Sequence, residues 1–224
     1  MTKFNLPFKL PFFKPRNINS EIHGLVSLRI EKLSGKVLLE KDNDLVLQNL
    51  VRFMYHLFAN YESDTVPSIT LLDQGGNSRT GFIGNSTSGV QYLRHIIGAY
   101  TAGNNWFNAG DTGQADRGIV IGIGTTAAAR TDYTIQSLVG EGAGAGQIHY
   151  NKQTHNNPDN TKFTLTREFT NAGSLIAVTE AGLYGYICIP SGATAYQFLL
   201  LHDVFAAVNV SAGNGIRIIY TWSF

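Results

Sequence analysis

The chain has 224 residues, a formal net charge of +1, a charged fraction of 15% and a single cysteine, Cys188. That balance sets up no global field toward nucleic acid or an acidic membrane surface, and one thiol excludes an internal disulfide and any multi-cysteine metal site. The 24 glycines, 13 phenylalanines and 10 tyrosines suit short strands joined by tight turns, not a helical bundle, which is richer in Glu, Lys, Ala and Leu.

Residues 1–20 read as an arm. Pro7, Pro11 and Pro15 recur every fourth residue, forbid regular helix and interrupt the apolar run that a signal peptide needs. Phe4, Phe8, Phe12 and Phe13 share this stretch with Lys3, Lys9, Lys14 and Arg16, all before the first acid, Glu21. A solvated tail, the alternative reading, avoids so many aromatics. The arm is expected to be extended and docked on a neighbouring subunit, with Phe4, Phe8, Phe12, Phe13, Lys9 and Lys14 as partner contacts. Residues 21–224 are expected to form a single domain. No run of 18 or more apolar residues offers a membrane-spanning helix.

"HGLVSLRIEKLSGKVLLEKDN" predicts a hairpin: Leu25, Leu28 and Ile30 partly alternate, Ser34-Gly35 turns the chain, and Val37 to Leu39 return. Leu50, Val51, Met54, Leu57 and Phe58 fall on one face at helical spacing, so a helix is expected at about residues 47–60, with Met54 and Phe58 in the core. Residues 61–115 are loop-rich. "VPSITLLD" and "QYLRHIIGAYTA" read as strands, and "DQGGNSRTGFIGNSTSG" and "GNNWFNAGDTGQADRG" as polar loops of the kind that meet partners. Trp106 in the second loop is the candidate for contacting a sugar or another protein.

From Gly118 the strand pattern strengthens. "GIVIGIG" is a buried strand and "GEGAGAGQIHYNKQTHNNPDN" a flexible loop. In "TKFTLTREFTN", Phe163, Leu165, Arg167 and Phe169 point one way. "SLIAVTEAGLYGYICI" and "YQFLLLHDVF" follow as strands. The first makes Cys188 a buried small hydrophobe; the second, apolar on both faces, suits a central position. "AVNVSAGNGIRIIYTWSF" reads as a closing hairpin about Ala212 to Gly215, with Ile216, Ile218 and Tyr220 alternating.

Gly122, Gly124 and Ala127 spell G-x-G-x-x-A after an apolar run, and Glu141 follows, as in a dinucleotide fingerprint. The context fails. A pyrophosphate needs a helix N-terminus after the glycines, whereas Thr131, Tyr133, Thr134 and Ile135 favour extended chain and Gly140 ends the segment. If the glycines are structural, Gly124 sits in a tight turn that takes positive φ. The histidines show no H-E-x-x-H or H-x-x-x-H spacing. His149 and His155 in one polar stretch are a weak metal hint, and His202-Asp203 lacks a nucleophile elbow. Glu168 and Glu180 are two strand carboxylates without a cleft to make them a glycosidase pair. No catalytic residue, cofactor or metal is expected.

The second half resembles a loose class of tailed-bacteriophage virion proteins, over about residues 117–224. The strand and turn "IGIGTTAAARTDYTIQSL", the pattern "REFTNAGSLIAVTEAGLYG" and the ending "LHDVFAAVNVSAGNGIRIIYTWSF" carry the resemblance. Its matching positions include Gly122, Gly124, Arg167, Phe169, Glu180, Gly182, Asp203 and Tyr220; His202 departs, where the class often has Arg before Asp. The resemblance implies an all-β, mainly antiparallel, jelly-roll-like β-sandwich. It also implies a virion location, contacts with its own copies and other virion proteins, and no enzymatic activity. The alternative is a carbohydrate- or receptor-binding module carried by Trp106, Tyr100 and the Asn-rich loops.

Overall fold

The computed structural model describes residues 26–42, 46–58, 69–81, 110–159, 161–188 and 195–223. The arm, with Phe4, Phe8, Phe12, Phe13, Lys9 and Lys14, lies outside them, as do Trp106 and the proposed strand "QYLRHIIGAYTA".

The architecture is all-β and mainly antiparallel. Strands β1 (Val26–Lys32) and β2 (Val37–Asp42) form the expected hairpin, its turn closed by Gly35 at φ +87°, a conformation that glycine adopts without steric cost. Helix α1 (Gln48–Phe58) follows, with Leu50 and Phe53 buried and Met54 packed against the core. Strands β3 (Ile69–Leu72) and β4 (Ser78–Gly81) make a two-stranded ribbon. Next come β5 (Gly118–Gly122), β6 (Gly140–Glu141), β7 (Gln147–Tyr150), β8 (Thr154–Asp159), β9 (Lys162–Thr170), β10 (Ile176–Cys188), β11 (Ala195–Val210) and β12 (Gly215–Ser223).

The larger sheet runs β2-β1-β12-β9-β7-β6, with β8 also on β9; the smaller runs β11-β10-β5. One hydrophobic cluster takes side chains from both, including Leu28, Ile218 and Phe169 from the larger sheet and Ile119, Val178 and Leu199 from the smaller. The alternation of β12 is complete: Ile216, Ile218, Tyr220 and Trp222 are buried, and the residues between them are half-buried. Strand β5 is buried at all five positions. Its neighbours therefore cover both faces.

Four expectations are corrected. The last two strands are not a hairpin. β12 is paired by β1 on one edge and β9 on the other, so β11 has no edge to join and lies in the smaller sheet; the turn between them crosses the sandwich. β11 is not central either. β10 is, and β11 is buried on both faces only from Phe198 to Asp203, where α1 packs on it; main chain from the flanking segments also closes its far edge, Leu47 N–H donating to Leu200 O at 3.4 Å and Gln74 N–H to Gln197 O at 2.9 Å. The glycine-rich stretch after residue 140 is not one loop but contains β6, β7 and β8. THNNPD has no apolar alternation to mark β8 as a strand; it is an outer strand, where Pro158 is tolerated. Finally, the polar "DQGGNSRTG" includes β4, reached by a turn in which Asp73 Oδ1 accepts the N–H groups of Gly75 and Asn77, each at 2.9 Å.

Candidate functional site

The fingerprint glycines end β5 and open the segment 123–137, which lies against β10. Glu180 of β10 is fully buried. One of its oxygens accepts the N–H of Gly124 at 2.7 Å and of Ser137 at 2.8 Å; the other accepts the N–H of Gln136 at 3.1 Å. The anion expected at a glycine-loop amide is thus supplied by the chain's own carboxylate. Burial opposes the charge on Glu180, but His202 and these three N–H donors outweigh it and hold the carboxyl below its ordinary range.

The glycines are required by crowding. A Cβ at Gly124 would stand 2.6 Å from both Glu180 Oε1 and Gln136 Cβ, and one at Gly122 would collide with the same Glu180 oxygen and with Ser137 O. Gly124 is not among the positive-φ glycines, so the turn-conformation expectation for it is corrected. The rest of the segment is fixed the same way. Thr179 Oγ1 donates to Gly124 O at 2.7 Å, and Ile135 N–H donates to the Tyr184 hydroxyl at 2.9 Å.

His202 completes this cluster. Its ring is fully buried, with Nδ1 2.7 Å from Asp132 Oδ2 and Nε2 3.0 Å from Glu180 Oε2. Asp203, next along β11, faces the opposite side of the sheet and meets Lys41 Nζ at 2.7 Å and the Tyr220 hydroxyl at 3.2 Å. The two residues are therefore not a dyad. They stand mid-strand and bind side chains.

Arg167 is the second buried charge. The alternation of β9 places it inward, and it is fully buried. Nε donates to Asn151 O, Nη1 to Arg117 O and Ile119 O, and Nη2 to Asp111 O and Gln114 O, all between 2.7 and 2.9 Å. Five carbonyls thus satisfy all five guanidinium N–H groups. The guanidinium also stands 4.8 Å from the centre of the Tyr150 ring. Burial brings its pKa down to about 10, so it stays charged at neutral pH. Asn171 does similar work where the chain crosses between sheets: its amide donates to Ser174 O and Val210 O, each at 2.7 Å, and its carbonyl oxygen accepts Gly173 N–H at 2.9 Å.

The remaining candidates do not converge. His149 pairs with Glu141 at 2.8 Å. Its backbone stands opposite Thr170, whereas His155 stands opposite Leu165, five positions along β9 and roughly 16 Å away. They share no metal, and no group of three or more metal-ligating side chains occurs among the described residues. Glu168 lies on the outer face of the larger sheet, paired with Arg217 at 2.6 Å, while Glu180 is enclosed; the two are not a catalytic pair. On that outer face Lys152, Thr154, Thr166, Glu168, Arg217 and Ile219 line an open groove of about 440 Å³.

Asp132 and Gln136 carry no signal in the sequence, being polar residues of ordinary appearance, whereas Thr179 is one of the positions that carry the resemblance, and its hydroxyl holds Gly124 O. Sequence reasoning placed Arg167 on the apolar face of β9 without drawing the consequence: a cation at an inward position demands a cage. No family model matches the chain, and neither does any curated protein or solved structure.

Proposed function

We propose that the chain is a non-enzymatic structural component of a bacteriophage virion, in the capsid, neck or tail, acting by self-assembly and by contacts with other virion proteins. The observation that carries this reading is what the resembling positions do. Gly124, Arg167, Glu180, Gly182 and Asp203 all build the framework, and the polar ones among them direct their side chains to main chain or to other framework groups. A pattern of that kind specifies a rigid scaffold whose surface and edges do the recognising.

The edges support assembly. Among the described residues β2 pairs with β1 alone, and Leu33 and Val37 are exposed at the same hairpin. An unpaired edge is a template for another chain. In this reading residues 1–20 dock on a neighbouring subunit. The second reading, a carbohydrate- or receptor-binding module, draws on the outer groove, where Lys152 and Arg217 supply donors and Glu168 an acceptor.

Electron microscopy of the purified chain, with a glycan array beside it, tests the proposal. A discrete symmetric oligomer that binds no glycan supports it. A monomer that binds a glycan, with binding lost in Arg217→Ala, overturns it in favour of the second reading.

A further inference from the structure

We infer that the segment 123–137 is a latch on the outer face of the β11-β10-β5 sheet, held shut by the imidazolium of His202 and released when that ring loses its proton. His202 Nδ1 faces Asp132 in the segment and Nε2 faces Glu180 on β10, at 2.7 and 3.0 Å. Both nitrogens can be satisfied by carboxylates only if both donate, and that is the protonated ring. A neutral ring turns a lone pair on one carboxylate, and both the ring and Glu180 are fully buried, although Asp132 is partly exposed. Burial disfavours the charged ring, but the Glu180 and Asp132 carboxylates outweigh it and hold its pKa above the ordinary histidine value.

The ring and the segment share one anchor. The Glu180 carboxylate that meets His202 also holds the N–H groups of Gly124, Gln136 and Ser137. Asp132, which meets the other nitrogen, also accepts Ala129 N–H at 2.8 Å. Loss of the proton removes the cation between two carboxylates and sets Asp132, with its part of the segment, against Glu180.

The surrounding titratable groups leave this role to His202. On β10, Tyr184 binds Ile135 N–H and the Thr134 hydroxyl, and burial raises its pKa so that it stays neutral. On β11, Asp203 faces away toward Lys41 and Tyr220. From α1, Arg52 is directed to Thr70 O, and the segment's Arg130 is exposed while its carbonyl accepts Gln48 N–H at 3.0 Å. Among the described residues, the imidazolium is the cation in contact with both carboxylates. Release uncovers the recess that Ile135 fills beside Gly182 and Tyr184.

Amide hydrogen exchange on the full chain, from about pH 6 to about pH 10 and corrected for intrinsic rates, tests the latch. The expected result is that Gly124, Gln136 and Ser137 lose protection by roughly tenfold or more over a narrow pH interval while Ile218 of β12 keeps its own. Nitrogen-15 shifts of the His202 ring should show it doubly protonated below that interval. Asp132→Asn should move the interval to lower pH. Unchanged protection of the three amides, a simultaneous loss in β12, or a ring that is neutral throughout would each overturn the inference. If Asp132→Asn does not fold, the wild-type comparison decides alone.

Discussion

His202 Nε2 lies 3.0 Å from Glu180 Oε2, and both side chains are fully buried. This pair joins β11, β10 and the segment 123–137 at one point. A buried ion pair is weak support for net stability but strongly resists the loss of one partner. Glu180→Gln keeps the shape and removes the charge. It should destabilise the fold by about 3–5 kcal/mol, because an amide keeps only one of the two oxygens: with that oxygen at the Gly124 and Ser137 N–H groups, an NH2 donor faces the Gln136 N–H and His202 Nε2, and the imidazolium loses its buried counter-charge. Urea denaturation measures this, and a change under about 1 kcal/mol would show that the cluster matters little.

The same pair sets a pH profile. Glu180 is depressed in the folded state, so its contribution is present above the ordinary carboxylate pKa and is lost as pH falls through the folded value. His202 is raised, so its contribution is complete below the ordinary histidine pKa and is lost as pH rises through the folded value. Stability from this pair should therefore be greatest between the two ordinary values, at about pH 5 to 6, and decline on both sides. Denaturant midpoints across pH, compared between wild type and His202→Gln, isolate the alkaline decline.

Gly124→Ala should cost about 1–3 kcal/mol, since its Cβ would overlap Glu180 and Gln136. Gly140→Ala is the control: its Cβ meets nothing within 4 Å and its φ is not positive, so thermal stability should hold or rise slightly. Calorimetry with NAD or ATP should detect no binding to either variant or to wild type, because the Gly124 amide is already occupied by Glu180.

Arg167→Lys keeps the charge but cannot reach five carbonyls in a planar fork. Stranded buried carbonyls and a poorly solvated ammonium should lower stability by about 3 kcal/mol or more, a fall in Tm of roughly 6–12 °C for a chain of this size. Differential scanning calorimetry reads it directly.

The fold was legible where periodicity is strong. Ile216, Ile218 and Tyr220 alternate as a half-buried strand must; the helical face is right only in part, since Leu50 is buried and Met54 packs on the core but Val51 is 46% exposed. Partner choice was not legible. The pattern of β12 states which face is buried but not which strands lie beside it, so a short turn at Gly213 looked like a hairpin although it crosses the sandwich. Strand β8 was invisible because pairing at the outside of a sheet asks nothing apolar of Asn156 or Asn157. At the glycine loop, sequence context argues against a nucleotide site but does not say what the amides bind instead. The competing anion, Glu180, lies 56 residues from Gly124, and spacing alone does not connect them.

In the proposed function, the buried charges of Glu180, His202 and Arg167 stiffen a scaffold that assembles through its surface and edges. Light scattering coupled to size exclusion, on the full chain and on a deletion of residues 2–16, measures that assembly most directly. A discrete multimer of constant mass is expected for the full chain, and a folded protein of reduced assembly for the deletion. A full chain that stays monomeric at every concentration, with a mass per subunit that the deletion merely shortens, would contradict it.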